Sequence, residues 1–419
     1  MSLRLLPIFL TLACAQVGLY LLLRALFFPR PAQRWGRGII ATWGLFSCAS
    51  LPIYGYLVRN GVQLGHATRY LVAYPILSWT ILSIPMVIAL GAGMSLARRW
   101  PGPTSVAAPA SVTEPAPDAP PATPIASESL LEALAVPLTG RRPPLLEGRR
   151  ILLARAATGL LGGAALLGIK GVEEAESLPE ITRHDIVLPG LHPDLDGLTV
   201  LQLSDLHSGA LITEERMSVW AAQAAALGAD VVVFTGDLLD GSGRAAAPYS
   251  RAFAGLHGKL GTFAILGNHD YFAGRRFAVR AVGDAGQTLL VNAGARLGRG
   301  KGALWLGGTD DPIGDVDVAR ALRGADPAEP KILLAHRPGL FGLCAAAGAD
   351  LVLSGHTHGG QIALSATLSP ARLITRYTMG QFREGRAQLY VHRGMGTVGA
   401  VPLRLGSRPE LALLTLRGS

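Results

Sequence analysis

The pattern of hydrophobic and polar positions divides the chain into four stretches. Residues 5–27 are apolar apart from Gln16 and Arg24, and residues 39–58 and 71–97 contain no charged side chain. A helix needs about 20 apolar residues to cross a hydrocarbon core. Residues 1–100 are therefore predicted to hold three transmembrane helices, since soluble cores rarely give uncharged runs this long. Residues 101–148 are rich in Pro, Ala and Ser. That composition cannot bury a core and is stiffened by proline, which predicts a disordered linker with at most a short helix over 129–136. Residues 149–172 begin with Arg149-Arg150 and turn apolar again, with Arg155 inside. Three readings stay open here: a fourth transmembrane helix, a signal anchor of twin-arginine-like type, or a helix lying on the bilayer.

From about residue 180 the pattern changes to short β-rich runs alternating with helix-like segments. Strands are predicted at 198–203, 230–235, 262–266, 331–335, 350–354, 387–392 and 411–416. Between the first two, Thr213 can cap a helix whose first turn holds Glu214 and Glu215, and Gly228 can end it. This alternation predicts an α/β sheet domain over residues 180–419, with ligands where strands end.

Charge refines the picture. Of 419 residues, 16% are charged, against roughly 25% in a typical soluble protein. The net charge of +9 is uneven: residues 1–170 hold 15 Lys and Arg against 5 Asp and Glu, and the remainder 23 against 24. The excess lies among the apolar segments, where it sets membrane orientation. The later region lacks the basic bias of a nucleic-acid surface, so nucleic acid is not an expected partner. By the positive-inside rule the N-terminus is outside, the first and third loops are cytoplasmic, and everything after the fourth segment is outside. That predicts a multi-pass protein of a bacterial inner or cytoplasmic membrane with its C-terminal domain on the extracytoplasmic face; if the fourth segment does not span, that domain is cytoplasmic. Cys14, Cys48 and Cys344 are too few and scattered for a disulfide framework or a cysteine metal site. Cys344 is expected in the core.

The candidate chemistry follows the strands. Their C-terminal ends carry Asp205-x-His207, Gly236-Asp237, Gly267-Asn268-His269-Asp270, His336 and Gly355-His356-Thr357-His358-Gly359-Gly360-Gln361. Five of the 10 histidines fall in these tips. Oxygen donors with imidazoles, and no thiolate, suit Mn, Fe or Zn. In an extended segment the i and i+2 residues of Asp205-x-His207 and of His356-x-His358 face the same way, so each pair can line one cavity. One carboxylate can bridge two cations, and two cations about 3.5–4 Å apart can hold a phosphate and activate a water. Single motifs of this kind arise as turn chemistry, but all five in this order do not.

This order of motifs resembles the calcineurin-like metallophosphoesterase superfamily over about residues 195–419. A narrower resemblance is to its bacterial membrane-anchored branch, related to UDP-2,3-diacylglucosamine pyrophosphatases. It rests on Gly308-Thr309-Asp310-Asp311-Pro312, Leu334-Ala335-His336-Arg337-Pro338, the Gly-Gly-Gln tail, and Arg393-Gly394-Met395-Gly396-Thr397 with Arg404, Pro409 and Glu410. The resemblance implies a four-layer α/β/β/α sandwich and two divalent metal ions. Asp205, His207, Asp237 and His358 would hold the first, and Asn268, His336 and His356 would complete the second, with Asp237 bridging. His269 would contact the phosphate as general acid or electrostatic stabiliser, with Asp270 orienting it. A metal-bound hydroxide would attack phosphorus in line.

Further residues carry two readings each. His392 either lines the site for substrate or is a core histidine; Arg337 either binds phosphate or forms a surface ion pair. Asp310 and Asp311 are expected to shape a loop. The leading function is a membrane-anchored phosphoesterase or pyrophosphatase acting on a phosphorylated small molecule or lipid, with the lipid bilayer as its second partner. The alternative is a membrane scaffold or sensor whose phosphoesterase domain is idle. Ion transport by the first three helices is disfavoured, because they lack ionisable groups deep in their spans.

Overall fold

The computed structural model describes residues 144–363, 369–398 and 402–418, with parts of 16–92. The first and third predicted membrane helices lie mostly outside the described residues, as do the short helix at 129–136 and the linker up to residue 143. Residues 39–58 fall within the helix Arg34–Arg59. Residues 149–172 fall within the helix Pro144–Glu176. Its stretch Ile151–Glu176 is long and apolar enough to cross a membrane, and Leu152, Leu166 and Ile169 on it are exposed.

The α/β reading is correct, and the strands form two sheets. The first uses β1 (Glu180–Leu188), β2 (Thr199–Leu203), β3 (Val231–Thr235), β4 (Thr262–Ile265), β5 (Thr288–Leu289) and β12 (Glu410–Gly418), in the order β1-β12-β2-β3-β4-β5. The second uses β6 (Ala293–Arg299), β7 (Gly302–Gly308), β8 (Lys331–Leu334), β9 (Leu351–Ser354), β10 (Gly380–Glu384) and β11 (Ala387–Val391), in the order β10-β11-β9-β8-β7-β6. β2, β3 and β4 are mutually parallel, as are β8, β9 and β11. Parallel strands deliver their C-terminal ends to one edge, and that edge carries every motif above.

Period-2 alternation assigns the layers. Val200, Val231 and Val233 of the first sheet face Ile332, Leu334, Leu351 and Leu353 of the second in a shared core. The intervening Leu201, Val232 and Phe234 face outward onto the helices Glu214–Ala225, Ala246–Phe253 and Arg275–Asp284. On the other side Leu333 and Val352 face the helices Val318–Ala321 and Phe341–Ala346, with Cys344 buried among them. The result is helix, sheet, sheet, helix. As expected, Thr213 caps its helix by accepting from the Arg216 N–H, the first turn holds Glu214 and Glu215, and Gly228 turns the chain with φ +57°.

The helix Pro144–Glu176 ends against the loop that precedes β12. The Arg404 N–H donates to the Gly171 carbonyl at 2.9 Å, and the Gly406 N–H donates to Glu174 Oε2 at 2.7 Å. Arg216 pairs with Glu176 and donates to the Ala175 carbonyl. Around the same end, Leu64 and Tyr74 pack with Ala210, Leu211 and Val172.

Candidate metal centre

Five loops at the shared strand edge bring the predicted residues together. Asp205 and His207 follow β2, Asp237 follows β3, Asn268 and His269 follow β4, His336 follows β8, and His356 and His358 follow β9. All are buried or nearly so. Three groups have their donor atoms mutually within 4.8 Å: Asp205, His207 and His358; His207, Asp237 and His269; and Asp237, His336 and His356. Asp237 belongs to the second and third, and its Oδ2 lies 3.7 Å from His207 Nε2 of the first and 3.2 Å from His336 Nε2 of the third.

The local backbone explains how such short loops can do this. The extended geometry expected for Asp205-x-His207 and His356-x-His358 is not found. Among the described residues seven non-glycine residues have positive φ, and five are Asp205, His207, Asp237, His356 and His358. Left-handed backbone costs an L-residue roughly 1–2 kcal/mol. Strain concentrated on one cluster is typical of a functional site. Gly236, at φ +92°, completes the turn after β3: a Cβ there would lie 2.7 Å from both the Gly267 nitrogen and His336 Nδ1.

The hydrogen bonds fix each ring. His336 Nδ1–H donates to the Thr235 carbonyl at 2.8 Å, which aims Nε2 at Asp237 Oδ2, 3.2 Å away, and at His356 Nδ1, 3.3 Å away. Asp205 accepts from the His356 N–H at 2.9 Å and lies 3.3 Å from His358 Nε2. Asp237 Oδ1 accepts from the His269 N–H at 2.8 Å. Arg404, fully buried, donates to His358 Nδ1 at 3.2 Å. A guanidinium has no lone pair, so Nδ1 accepts and the neutral His358 ring carries its proton on Nε2.

Electrostatics divides the histidines. Burial drives His207 down to about 3 and His356 to about 4, so both rings are neutral with lone pairs available. Burial also pulls on His336, but Asp237 and Asp205 outweigh it and lift the ring to about 10. His269 is similar: burial lowers it, while the hydrogen bond to Asp240 and the charge of Asp237 raise it to about 9. Burial opposes the charge on Asp205 and Asp237, yet the facing His358 and His336 respectively hold both carboxyls below the usual range.

The donor set fits divalent metal binding. Asn268 Oδ1 is buried with no hydrogen-bond partner, though buried polar atoms are normally satisfied. Asn268 follows Gly267, where a Cβ would meet both Asp237 and His336.

One sequence expectation needs correction, and two residues with open readings take one of them. Asp270 does not orient His269. It occupies the third position of the helix Asn268–Ala273, where its carboxylate folds back to accept from the Gly267 N–H at 2.8 Å and from the Leu238 and Leu239 N–H groups at 3.0 and 2.9 Å. The partner of His269 is Asp240, whose Oδ1 accepts from Nδ1–H at 3.0 Å. His392 does not reach a substrate surface: it is fully buried, and its Nδ1 accepts from the Gly394 N–H at 2.9 Å. Arg337 is engaged by the buried Asp311 through two hydrogen bonds of 2.8 and 3.0 Å, which is the ion-pair reading. Asp310 and Asp311 do shape their loop, accepting from the backbone N–H groups of Asp311 and Ile313.

Sequence reasoning missed Asp240 and did not assign a role to Arg404. The signal for Asp240 was present in Gly236-Asp237-Leu238-Leu239-Asp240. A second carboxylate three residues past a strand tip could be weighed as a partner for the histidine of the next loop.

With this geometry in place, the comparisons with known proteins are specific. Residues 198–360 match the family described as calcineurin-like phosphoesterase. An uncharacterized metallophosphoesterase of Helicobacter pylori strain J99 is 32% identical over 262 residues, covering 60% of this chain and 68% of its own length. The chain belongs to the calcineurin-like metallophosphoesterase family. It is also similar to a transmembrane protein with metallophosphoesterase domain from Bos taurus, 28% identical over 303 residues. That alignment covers 67% of this chain and 66% of the bovine protein, so the chain spans slightly less than two thirds of that relative. UDP-2,3-diacylglucosamine pyrophosphatase LpxG of Chlamydia trachomatis is 27% identical over 322 residues, 62% of this chain and 96% of its own length.

Proposed function

We propose that the protein is a membrane-anchored phosphoesterase that uses two divalent cations to hydrolyse a phosphoester or pyrophosphate bond. The observation that carries this reading is the meeting of Asp205, His207 and His358 with Asp237, His336 and His356, beside the unpartnered Asn268 Oδ1. Asp205, His207, Asp237 and His358 would hold the first cation. Asn268, His336 and His356 would hold the second, together with Asp237. Bound there, Mn, Fe or Zn supplies Lewis acidity and lowers the pKa of water at the site.

The chain's own residues do the rest. His269 keeps its proton at neutral pH because Asp240 accepts from Nδ1–H and Asp237 lies nearby. A charged imidazole at that place neutralises the phosphoryl oxygens and protonates the leaving oxygen. Asp240 is its positioning residue. Asp270 ties the loop after β3 to the loop after β4, which holds Asp237 and Asn268 in register.

The substrate class is a phosphate ester or pyrophosphate carried on a lipid. Supporting this are the helix Ile151–Glu176, which ends against the loop holding Arg404, and the similarity to a protein named for a diacylglucosamine substrate. In this reading the chain spans a bacterial cytoplasmic membrane more than once with the domain after residue 180 outward; the basic first and third loops support it by the positive-inside rule.

The test is hydrolysis of bis(p-nitrophenyl) phosphate and p-nitrophenyl phosphate by the full chain in detergent with added Mn. Turnover by the parent that is lost in His269→Ala supports the proposal. Equal turnover in the parent and the variant overturns the role given to His269, and no turnover in a parent that binds no metal overturns the proposal in favour of the idle scaffold.

A further inference from the structure

Leu373 and Ile374 are each 91% exposed, whereas the next most exposed large hydrophobic among the described residues, Leu45 in the helix Arg34–Arg59, is at 74%. Two adjacent aliphatic side chains held out further than those of an apolar helix call for a partner. They are not on a loose tail. Arg372 donates to the Arg376 carbonyl at 2.6 Å and closes the turn. Tyr377 stacks edge-on against Phe341 and Phe382, with ring centroids 5.8 and 5.1 Å away, and roots it. The turn is tied to the metal centre as well, because Thr357 Oγ1, between His356 and His358, donates to the Thr378 carbonyl at 2.6 Å.

Two observations identify the partner. Charge is the first: of the four arginines in residues 370–386, Arg376 pairs with Glu384 and Arg386 with Asp350, which leaves Arg372 and Arg383 as excess positive charge. An apolar tip beside excess positive charge matches an anionic bilayer surface. Continuity is the second. The Ala363 N–H donates to the Leu405 carbonyl at 2.7 Å and the Leu405 N–H to the Gln361 carbonyl at 2.9 Å, which joins the loop leading to this turn to the loop on which the helix Pro144–Glu176 ends. We infer that the Arg372–Tyr377 turn inserts Leu373 and Ile374 into the headgroup region of an anionic membrane and holds the mouth of the metal centre against it. This rests on the reading that Ile151–Glu176 spans the bilayer.

The test uses the full chain with Cys14 and Cys48 changed to Ser, reconstituted in phosphatidylcholine–phosphatidylglycerol vesicles. The nitrobenzoxadiazole fluorophore is attached at Leu373→Cys, at Ile374→Cys in a second variant, at Leu166→Cys on the membrane helix, and at Arg320→Cys on the exposed side of the helix Val318–Ala321. The inference predicts blue-shifted emission at 373 and 374, largely lost to nitroxide-bearing lipid and little affected by aqueous iodide. It also predicts that the shift shrinks in pure phosphatidylcholine, while position 320 shows the reverse quenching. Iodide quenching at 373 and 374 equal to that at 320 overturns it. So does a blue shift that neither quencher touches, which would mean that a protein covers the turn. Loss of lipid quenching at position 166 would instead overturn the membrane-spanning reading, and so separates the two failures.

Discussion

Arg404 is the residue whose removal tests most about how the centre is held. Its guanidinium is fully buried and donates to the Arg393 carbonyl at 2.9 Å, the Ser407 carbonyl at 2.8 Å and the Gly396 carbonyl at 3.2 Å, as well as to His358 Nδ1. Burial lowers its pKa to about 9, so it remains charged at neutral pH. Arg404→Met keeps most of the volume and strips these donors. Three buried carbonyls at ~1–1.5 kcal/mol each give a loss of about 3–5 kcal/mol. For a domain of this size that lowers Tm by about 6–20 °C. His358 also loses the group that fixes its ring, and loss of such support typically costs roughly 10–100-fold in metal affinity. Calorimetric unfolding and Mn titration of the full chain in detergent measure both effects, with Asp185→Asn at the exposed partner of Arg417 as control. A variant with the parent's Tm and the parent's Mn affinity would refute the reasoning.

Other expectations follow from the same geometry. Because Asp237 and Asp205 lift His336 to about 10, that ring is protonated at pH 7 before a cation binds, and cation uptake displaces its proton. Calorimetric Mn binding in buffers of different ionisation enthalpy reads that displacement, and no buffer dependence counts against the ligand set. His269 has a folded pKa of about 9 against 6.5 for the free residue. Its pairing with Asp240 therefore stabilises fully below pH 6.5, and that contribution fades as pH rises through about 9. In Asp240→Asn the decline in Tm between those values is expected to flatten; an unchanged profile contradicts the pairing. Gly236→Ala is expected to cost about 2–4 kcal/mol, from left-handed backbone and a Cβ forced into the Gly267 backbone. A fall in Tm of under 2 °C would contradict that account of the turn.

The strands legible in the sequence were those buried on both faces. β2, β3, β4, β8, β9, β11 and β12 read as continuous apolar runs, as parallel sheet interiors require. Most of the missed strands border a sheet. β1 carries the polar run Thr182-Arg183-His184-Asp185, β6 and β10 are also edges, and β5 has only two residues. β7 is interior, but its glycines hide it: a Cβ at Gly308 would lie 2.6 Å from Ile265 of the facing sheet, so close approach excludes side chains there. At the site, the donor atoms were legible because each follows a parallel strand. What failed was inference from sequence proximity. Asp270 adjoins His269, yet the first helical turn directs its carboxylate back to backbone N–H groups, while Asp240 arrives from another loop. The i, i+2 argument placed Asp205 with His207 correctly for a reason that does not apply, since both residues are left-handed.

The central claim is that one shared carboxylate, Asp237, joins two half-sites into a two-cation centre. The most direct measurement is the metal content of the full chain in detergent, equilibrated with Mn and freed of excess, beside His336→Ala and Asp237→Ala. Two Mn per chain in the parent, one in His336→Ala and at most one in Asp237→Ala is the predicted result. A folded parent that retains no Mn, or variants that retain as much as the parent, would contradict it.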